Sequence, residues 1–358
     1  MKIRDEAKAE QQGRRRAFSA GSTQAAHPVP SLITSARDDA VRAVVPRLRR
    51  ILGAHDLPDD GPVRPLDMLD RAGSDLIEQR LQARYAQIAG SLPELLAEIL
   101  RAAHTCGDGQ RRQIARLLTL AYRAADAIAF KFGYVDLSGR LIDLMRLVAL
   151  DADDPLLLAS VAYVRTETFF ATGDLDTAAH NLVLAAERIP TKLMAEVPAA
   201  ATYGSLHMRA AVVAARAGKS DQAQDHLSEA RLVATRVPES VYYGTAFRHS
   251  SVMIHDLAVA VELGDSPTAV ERGCTWNPPR ELPAERRSHY YIELARAQLE
   301  IGRSEDAYVA LRTARQIAPR HIRAHPQVHR LLVTLLRTRL GKDPDLLNFA
   351  SWVQLTSW

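Results

Sequence analysis

The stretch Gly173-Asp-Leu-Asp-Thr-Ala178-Ala-His-Asn-Leu182-Val-Leu-Ala185-Ala-Glu-Arg-Ile-Pro190 decides the fold. Glycine ends one helix in a left-handed conformation that side chains dislike. Ala178 and Ala185 let the next helix lie close against its predecessor, Leu182 fills the gap between them, and Pro190 stops the run. The same spacing returns at Gly218 (Ala223, Leu227, Ala230) and at Gly302 (Ala307, Leu311, Ala314, Pro319), with the proline of the middle copy displaced to Pro238. Weaker copies turn at Gly133 (Ser138, Ile142, Met145) and at Gly264, where Ala269 is kept but Gly273 and Trp276 replace Leu and Ala. The turn recurs about every 40 residues, longer than the roughly 34 of a tetratricopeptide repeat. Extended loops around Pro190 to Pro198 and Trp276 to Pro283 take up part of the difference.

Outward from these turns the chain reads as helix almost throughout. Ala, Leu, Arg and Glu dominate, and apolar residues recur at three- and four-residue spacing. One helix is expected over 35–53, with Ser35 as its cap and Pro46 inside. A second is expected from Pro65 to Ala89, and a third opens at Pro93 and ends at the Cys106-Gly-Asp-Gly109 turn. The organisation that follows is a disordered basic tail over 1–35, a helical bundle over 36–110, about five repeats over 111–340, and a capping or docking segment over 341–358. That last segment carries Trp352 and Trp358, and a terminal repeat has an open apolar face to cover.

The repeat resembles the tetratricopeptide motif, and Gly173 to Pro190 matches its second half position for position. Over about residues 40–340, Ala121-Tyr-Arg-Ala-Ala-Asp-Ala-Ile, Phe132-Gly-Tyr-Val-Asp-Leu137, Ala162-Tyr-Val-Arg-Thr-Glu-Thr-Phe-Phe170, Val259-Ala-Val-Glu-Leu-Gly-Asp265 and His325-Pro326 are similar to the repeat region of actinobacterial helix-turn-helix regulators. In that family a DNA-binding domain of the XRE type precedes a tetratricopeptide sensor region. The resemblance implies an all-α, right-handed solenoid of antiparallel helix pairs. It also implies a role in transcriptional regulation through an effector or partner. Residues 1–35 leave no room for the DNA-binding domain itself, so direct sequence-specific DNA reading is not expected.

Lys and Arg total 46 against 42 Asp and Glu, a net charge of +4, which is too small an excess to argue for nucleic acid. Arg14-Arg15-Arg16 could touch phosphates without reading bases. The longest stretch free of charged residues, Leu346 to Trp358, falls short of the roughly 20 apolar residues of a spanning helix, and no apolar run follows the basic N-terminus as in a secretory signal. A cytoplasmic protein without membrane contact is expected. Cys106 and Cys274 form no C-x-x-C and read as small buried hydrophobes. Gly218-Lys219-Ser220 imitates the end of a phosphate loop, yet Val213 stands where that loop needs glycine. His321, His325 and His329 have metal-like spacing, but Pro326 separates them and leaves His321 on a loop. No metal and no cofactor are expected.

The concave face of a solenoid takes peptides, proteins or small effectors, so polar residues on the first helices of pairs are the candidate ligand contacts. They are Tyr122, Arg123, Asp126 and Lys131; Tyr163, Arg165, Thr166, Glu167 and Phe170; Arg209; Phe247, His249 and His255; and Arg287, Tyr290 and Arg296. Guanidinium forks and aromatic faces suit an anionic or amide-rich ligand. The alternative is an internal Arg–Glu and Arg–Asp network that holds the helices in register. The functional expectation is a non-enzymatic regulator that binds a small effector, a peptide or a partner protein in its groove, with a homodimer also open. The rival readings are an enzyme using Glu167, His249, His255 or Tyr163 for proton transfer, and a DNA-binding regulator acting through the tail or a partner.

Overall fold

The computed structural model describes residues 36–355. The tail expected over 1–35 and the last three residues lie outside them. Among the described residues the fold is all-α, with sixteen α-helices and one two-stranded hairpin. The helices are α1 (Ala36–Gly53), α2 (Leu66–Leu81), α3 (Tyr85–Thr105), α4 (Asp108–Lys131), α5 (Val135–Asp151), α6 (Pro155–Thr172), α7 (Leu175–Glu187), α8 (Val197–Arg216), α9 (Ser220–Ala234), α10 (His249–Glu262), α11 (Ser266–Thr275), α12 (Ala284–Glu300), α13 (Ser304–Ile317), α14 (Pro319–Ala324), α15 (Pro326–Leu336) and α16 (Pro344–Trp352). Strands β1 (Ser240–Tyr242) and β2 (Thr245–Phe247) lie between α9 and α10.

All five repeat turns hold their glycine in the left-handed region, with φ of 80° at Gly133, 78° at Gly173, 75° at Gly218, 74° at Gly264 and 80° at Gly302. The residues spaced after each turn are buried as packing requires: Ala178 with Leu182, Ala223 with Leu227 and Ala230, and Ala307 with Leu311 and Ala314. At Gly273 a Cβ would stand 2.6 Å from Leu294 Cδ1, so the glycine lets α11 press against α12 where the other copies use leucine or isoleucine. The phosphate-loop mimic at Gly218 is simply one of these turns, with the Lys219 ammonium 2.6 Å from Asp176.

Four expectations need correction. The helix expected over Pro65 to Ala89 is broken after Leu81, because Ala83 adopts φ 53° and turns the chain into α3. Pro93 then lies inside α3 instead of opening a helix. A buried alanine in the left-handed region costs about 1 kcal/mol and leaves no glycine in the sequence to announce the turn. His321 is on the short helix α14, not on a loop, and Cys274 is exposed at the end of α11.

Each of α3 to α13 packs against the helix before it. One set also neighbours across the pairs: α2 with α4, α6 with α8, α8 with α10, α10 with α12, and α12 with α15. In addition α12 meets α2, although most of the chain separates them. Ala284 and Ala318 from the C-terminal half accordingly bury in the same core cluster as Leu48, Leu69, Tyr85 and Leu96 from the N-terminal half. The inner face is thereby brought round on itself. At the far end α16 lays Leu346, Phe349 and Ala350 into the cluster built by α13 and α15, and Arg315 stacks over Phe349 and Trp352 at 4.8 and 4.1 Å.

Candidate functional site

Helical periodicity decides which polar groups meet. On α6, Tyr163, Thr166, Glu167 and Phe170 recur at three and four residues and share one face. Arg165 is rotated off it and instead stacks over Phe169 at 5.2 Å, outside the cluster. Across from Tyr163, α8 contributes Arg209, whose Nε donates to Thr166 Oγ1 at 2.6 Å while its guanidinium lies 5.1 Å from the Tyr163 ring and 4.7 Å from Phe170. From α12, Arg286 Nη2 donates to the Tyr163 hydroxyl at 3.3 Å.

The carboxylate of Glu167 acts on Arg80, Arg123, Arg209 and Arg286 together, and among the described residues it has no direct hydrogen bond or ion pair. Asp126 faces the same space from α4. Burial and the neighbouring Glu167 hold its carboxyl well above the ordinary range, and it accepts from Ser138 at 2.6 Å.

The hairpin enters this space. Its two-residue loop, Tyr243-Gly244, has φ of 48° and 73°, the left-handed pair that matches the twist of the strands. Arg123 donates to the Tyr243 carbonyl and, at 2.9 Å, to Thr245 Oγ1, and Arg80 donates to the Gly244 carbonyl. Phe247 is fully buried against α8, where a Cβ on Gly204 would overlap its ring. Beneath the hairpin a cleft of about 10 Å³, room for about one water, is bordered by Ser160, Tyr163, Thr202, Ser205, Tyr242 and Thr245. That is below the ~300 Å³ of a drug-sized site.

A second group lies where the C-terminal half meets α4. Lys131 is 3.4 Å from Glu285 and 3.2 Å from His321 Nε2, and His321 Nδ1 is 2.7 Å from Ser288 Oγ. Ser288 Oγ donates to the Glu285 carbonyl at 2.9 Å, so its hydroxyl oxygen receives Nδ1–H and the His321 Nε2 receives the lysine proton. This order of donors leaves no base to take a proton from Ser288, so the pair is not an activated nucleophile. Burial, then the positive charge of Lys131, hold His321 well below the usual histidine range, and the same causes push His289 down to about 3. Burial would raise Glu285, but Lys131, Arg286 and Arg80 outweigh it and hold it low.

A third network on the same side joins Arg296 to Glu262 at 2.9 Å and to Glu300 at 3.3 Å, with Arg216 also 2.8 Å from Glu262. Burial would raise Glu262, yet the two arginines hold it down at about 2, while burial carries Glu293 up to about 7.

Of the residues singled out in the sequence, Arg123, Asp126, Lys131, Tyr163, Thr166, Glu167, Phe170 and Arg209 come together around the interior. Tyr122 is buried between α4 and its neighbours and burial pushes it up to about 12. His255 is buried with Nδ1 on the Ser251 carbonyl at 2.8 Å, and burial and Arg286 push it down to about 3, so it stays neutral. His249 is exposed at the start of α10. Arg287 turns back to the Leu282 carbonyl at 3.0 Å, Tyr290 donates to the carbonyls of Gly273 and Trp276, and Arg296 belongs to the third network.

Sequence reasoning missed Arg80, Glu285, Arg286, Ser288 and His289, and took up His321 only for its metal-like spacing with His325 and His329. The error at α12 is one position: Arg287 instead of Arg286, a 100° rotation that Arg-Arg-Ser-His gives no apolar stripe to fix. His325 caps α15 with Nδ1 toward Gln327 N, and His329 Nε2 lies 2.8 Å from the Arg323 carbonyl. Among the described residues no group of three or more His, Cys, Asp or Glu is placed to hold a metal ion, and no helix is long and apolar enough to cross a membrane. Comparison with known proteins adds no relative, since no family model, no curated protein and no solved structure matches the chain.

Proposed function

We propose that the protein is a non-enzymatic regulator of tetratricopeptide-like build, a right-handed superhelix of antiparallel helix pairs that receives a small effector or short peptide in its interior. The observation that supports this most is the convergence of Arg80, Arg123, Tyr163, Glu167, Arg209 and Arg286, from five separate helices, on one partly open space. A purely structural role would be served by closed pairs such as Arg296 with Glu262. Here guanidinium donors are left over and Glu167 stands without a direct partner. The grip of Arg80 and Arg123 on two main-chain carbonyls of the hairpin is also what an extended peptide would meet there.

The fixed donor order through Ser288, His321 and Lys131 speaks against the enzyme reading. A change in how α2 and α12 meet would carry the effector signal to a partner or a second copy, in keeping with a cytoplasmic role in transcriptional regulation. Native mass spectrometry of the chain purified from its own host tests the reading. The expected result is an excess mass that leaves on denaturation, and a chain of bare mass in both spectra would count against a bound effector.

A further inference from the structure

The charges around Tyr163 do not balance. The carboxyl of Asp126 is held where it adds little negative charge, so five cations, Lys131 and the guanidiniums of Arg80, Arg123, Arg209 and Arg286, face two carboxylates, Glu285 and Glu167. The histidines that border the space, His255 and His289, are neutral. Gathering like charges away from bulk water is expensive unless an opposite charge joins them.

The donors are also unevenly used. Arg123 is engaged by the hairpin. By contrast Arg209 uses only Nε and Arg286 only Nη2, and no hydrogen bond among the described residues reaches the Nη groups of Arg209 or the Nε and Nη1 of Arg286. None of these atoms is sealed from solvent. Two guanidiniums with free forks, held in place by one tyrosine, Arg286 at its hydroxyl and Arg209 over its ring, form an arrangement that can capture an oxyanion.

We propose that this interior binds an oxyanion, the phosphate or carboxylate group of the effector, between the free donors of Arg209 and Arg286 beside the Tyr163 hydroxyl. The assignment rests on the binding reading above and names the chemistry of its ligand. Glu167 then serves as the resident counter-charge that keeps the four arginines together when the site is empty.

The test is calorimetric titration of the full chain, in chloride buffer at constant ionic strength, with inorganic phosphate and separately with succinate, together with thermal melts in each. Saturable binding and a rising melting temperature are expected with at least one of the two. A response to phosphate alone assigns a phosphoryl group, a response to succinate alone assigns a carboxylate, and a response to both assigns an oxyanion site without discrimination. Arg286→Gln and Arg209→Gln should each weaken binding at least tenfold, while Arg303→Gln on the exposed turn should not. If Arg286→Gln fails to fold, Tyr163→Phe and Arg209→Lys carry the same comparison with smaller losses. No response to either anion at millimolar concentration, or wild-type binding by both Arg209→Gln and Arg286→Gln, overturns the proposal. An effector seen by native mass spectrometry together with no anion response would sink this assignment and leave the binding reading standing.

Discussion

Arg286 Nη2 and the Tyr163 hydroxyl meet at 3.3 Å although 123 positions separate them in sequence. The contact links α12 to α6 across the interior and sets the electrostatics of the phenol. Burial alone would raise Tyr163, yet Arg286, Arg209 and Arg123 outweigh it and bring the group below the ordinary tyrosine range. At Tyr122 and Tyr243 burial outweighs the one arginine that acts on each, Arg140 and Arg116, and pushes them up to about 12. Ultraviolet titration of the folded protein should therefore show one tyrosine ionising before the rest. Tyr163→Phe should remove that early phase, and Arg286→Gln should shift it upward. An early phase that survives Tyr163→Phe would show that the arginines do not act on this phenol.

Acid should destabilise the fold through its buried histidines. His255 is neutral in the folded state with its pKa at about 3, against ~6.5 in the unfolded chain. Between those values the unfolded chain binds the extra proton. The contribution is complete above about pH 6.5 and is lost as pH falls toward 3, at about 1.4 kcal/mol per pH unit for each such group. His321 adds in the same direction. Urea midpoints measured from about pH 7.5 down to about pH 5 should fall, and His255→Gln should flatten the slope by close to one proton. An unchanged slope in that variant would contradict the neutral assignment.

Gly204 and Phe247 fit as a pair, since the ring of Phe247 occupies the space a Cβ on Gly204 would need. Gly204→Ala should destabilise by about 1–3 kcal/mol through overpacking, and Phe247→Ala by about 3–5 kcal/mol through the cavity it leaves. The double variant should cost clearly less than the sum, because the added methyl enters the vacated space. Chemical denaturation of the three variants reads this directly. Simple additivity would mean that the hairpin does not seat its phenylalanine against α8.

Much of the helical layout was legible because packing writes itself into spacing. A glycine followed at fixed intervals by Ala, Leu and Ala can hardly be anything but a helix-to-helix turn, and all five such glycines are left-handed. Ala83 performs the same turn without the signature residue, so the break between α2 and α3 was invisible. The hairpin was missed for a related reason: Tyr243 stands where Asn or Asp usually marks the turn, and each strand has three residues.

The candidate site was legible on α4, α6 and α8, where apolar neighbours fix which face looks inward. On α2 and α12 that stripe is interrupted by charge, and which end of the chain returns to meet α4 is set by the accumulated geometry of every intervening pair. No local spacing encodes that return. Arg80, Arg286 and His321 could not be read from sequence for this reason.

That return is the claim on which the rest depends, and the ion pair between Lys131 on α4 and Glu285 on α12, at 3.4 Å, is where it can be measured. A double-mutant cycle with Lys131→Met, Glu285→Gln and the double variant, followed by denaturant unfolding, isolates the pair from everything else. If the inner face comes round on itself, the coupling energy should be about 1–3 kcal/mol, with each single variant costing more than the pair removed together would suggest. Costs that add to within about 0.5 kcal/mol would mean that the two helices do not meet, and with them the shared interior would fall.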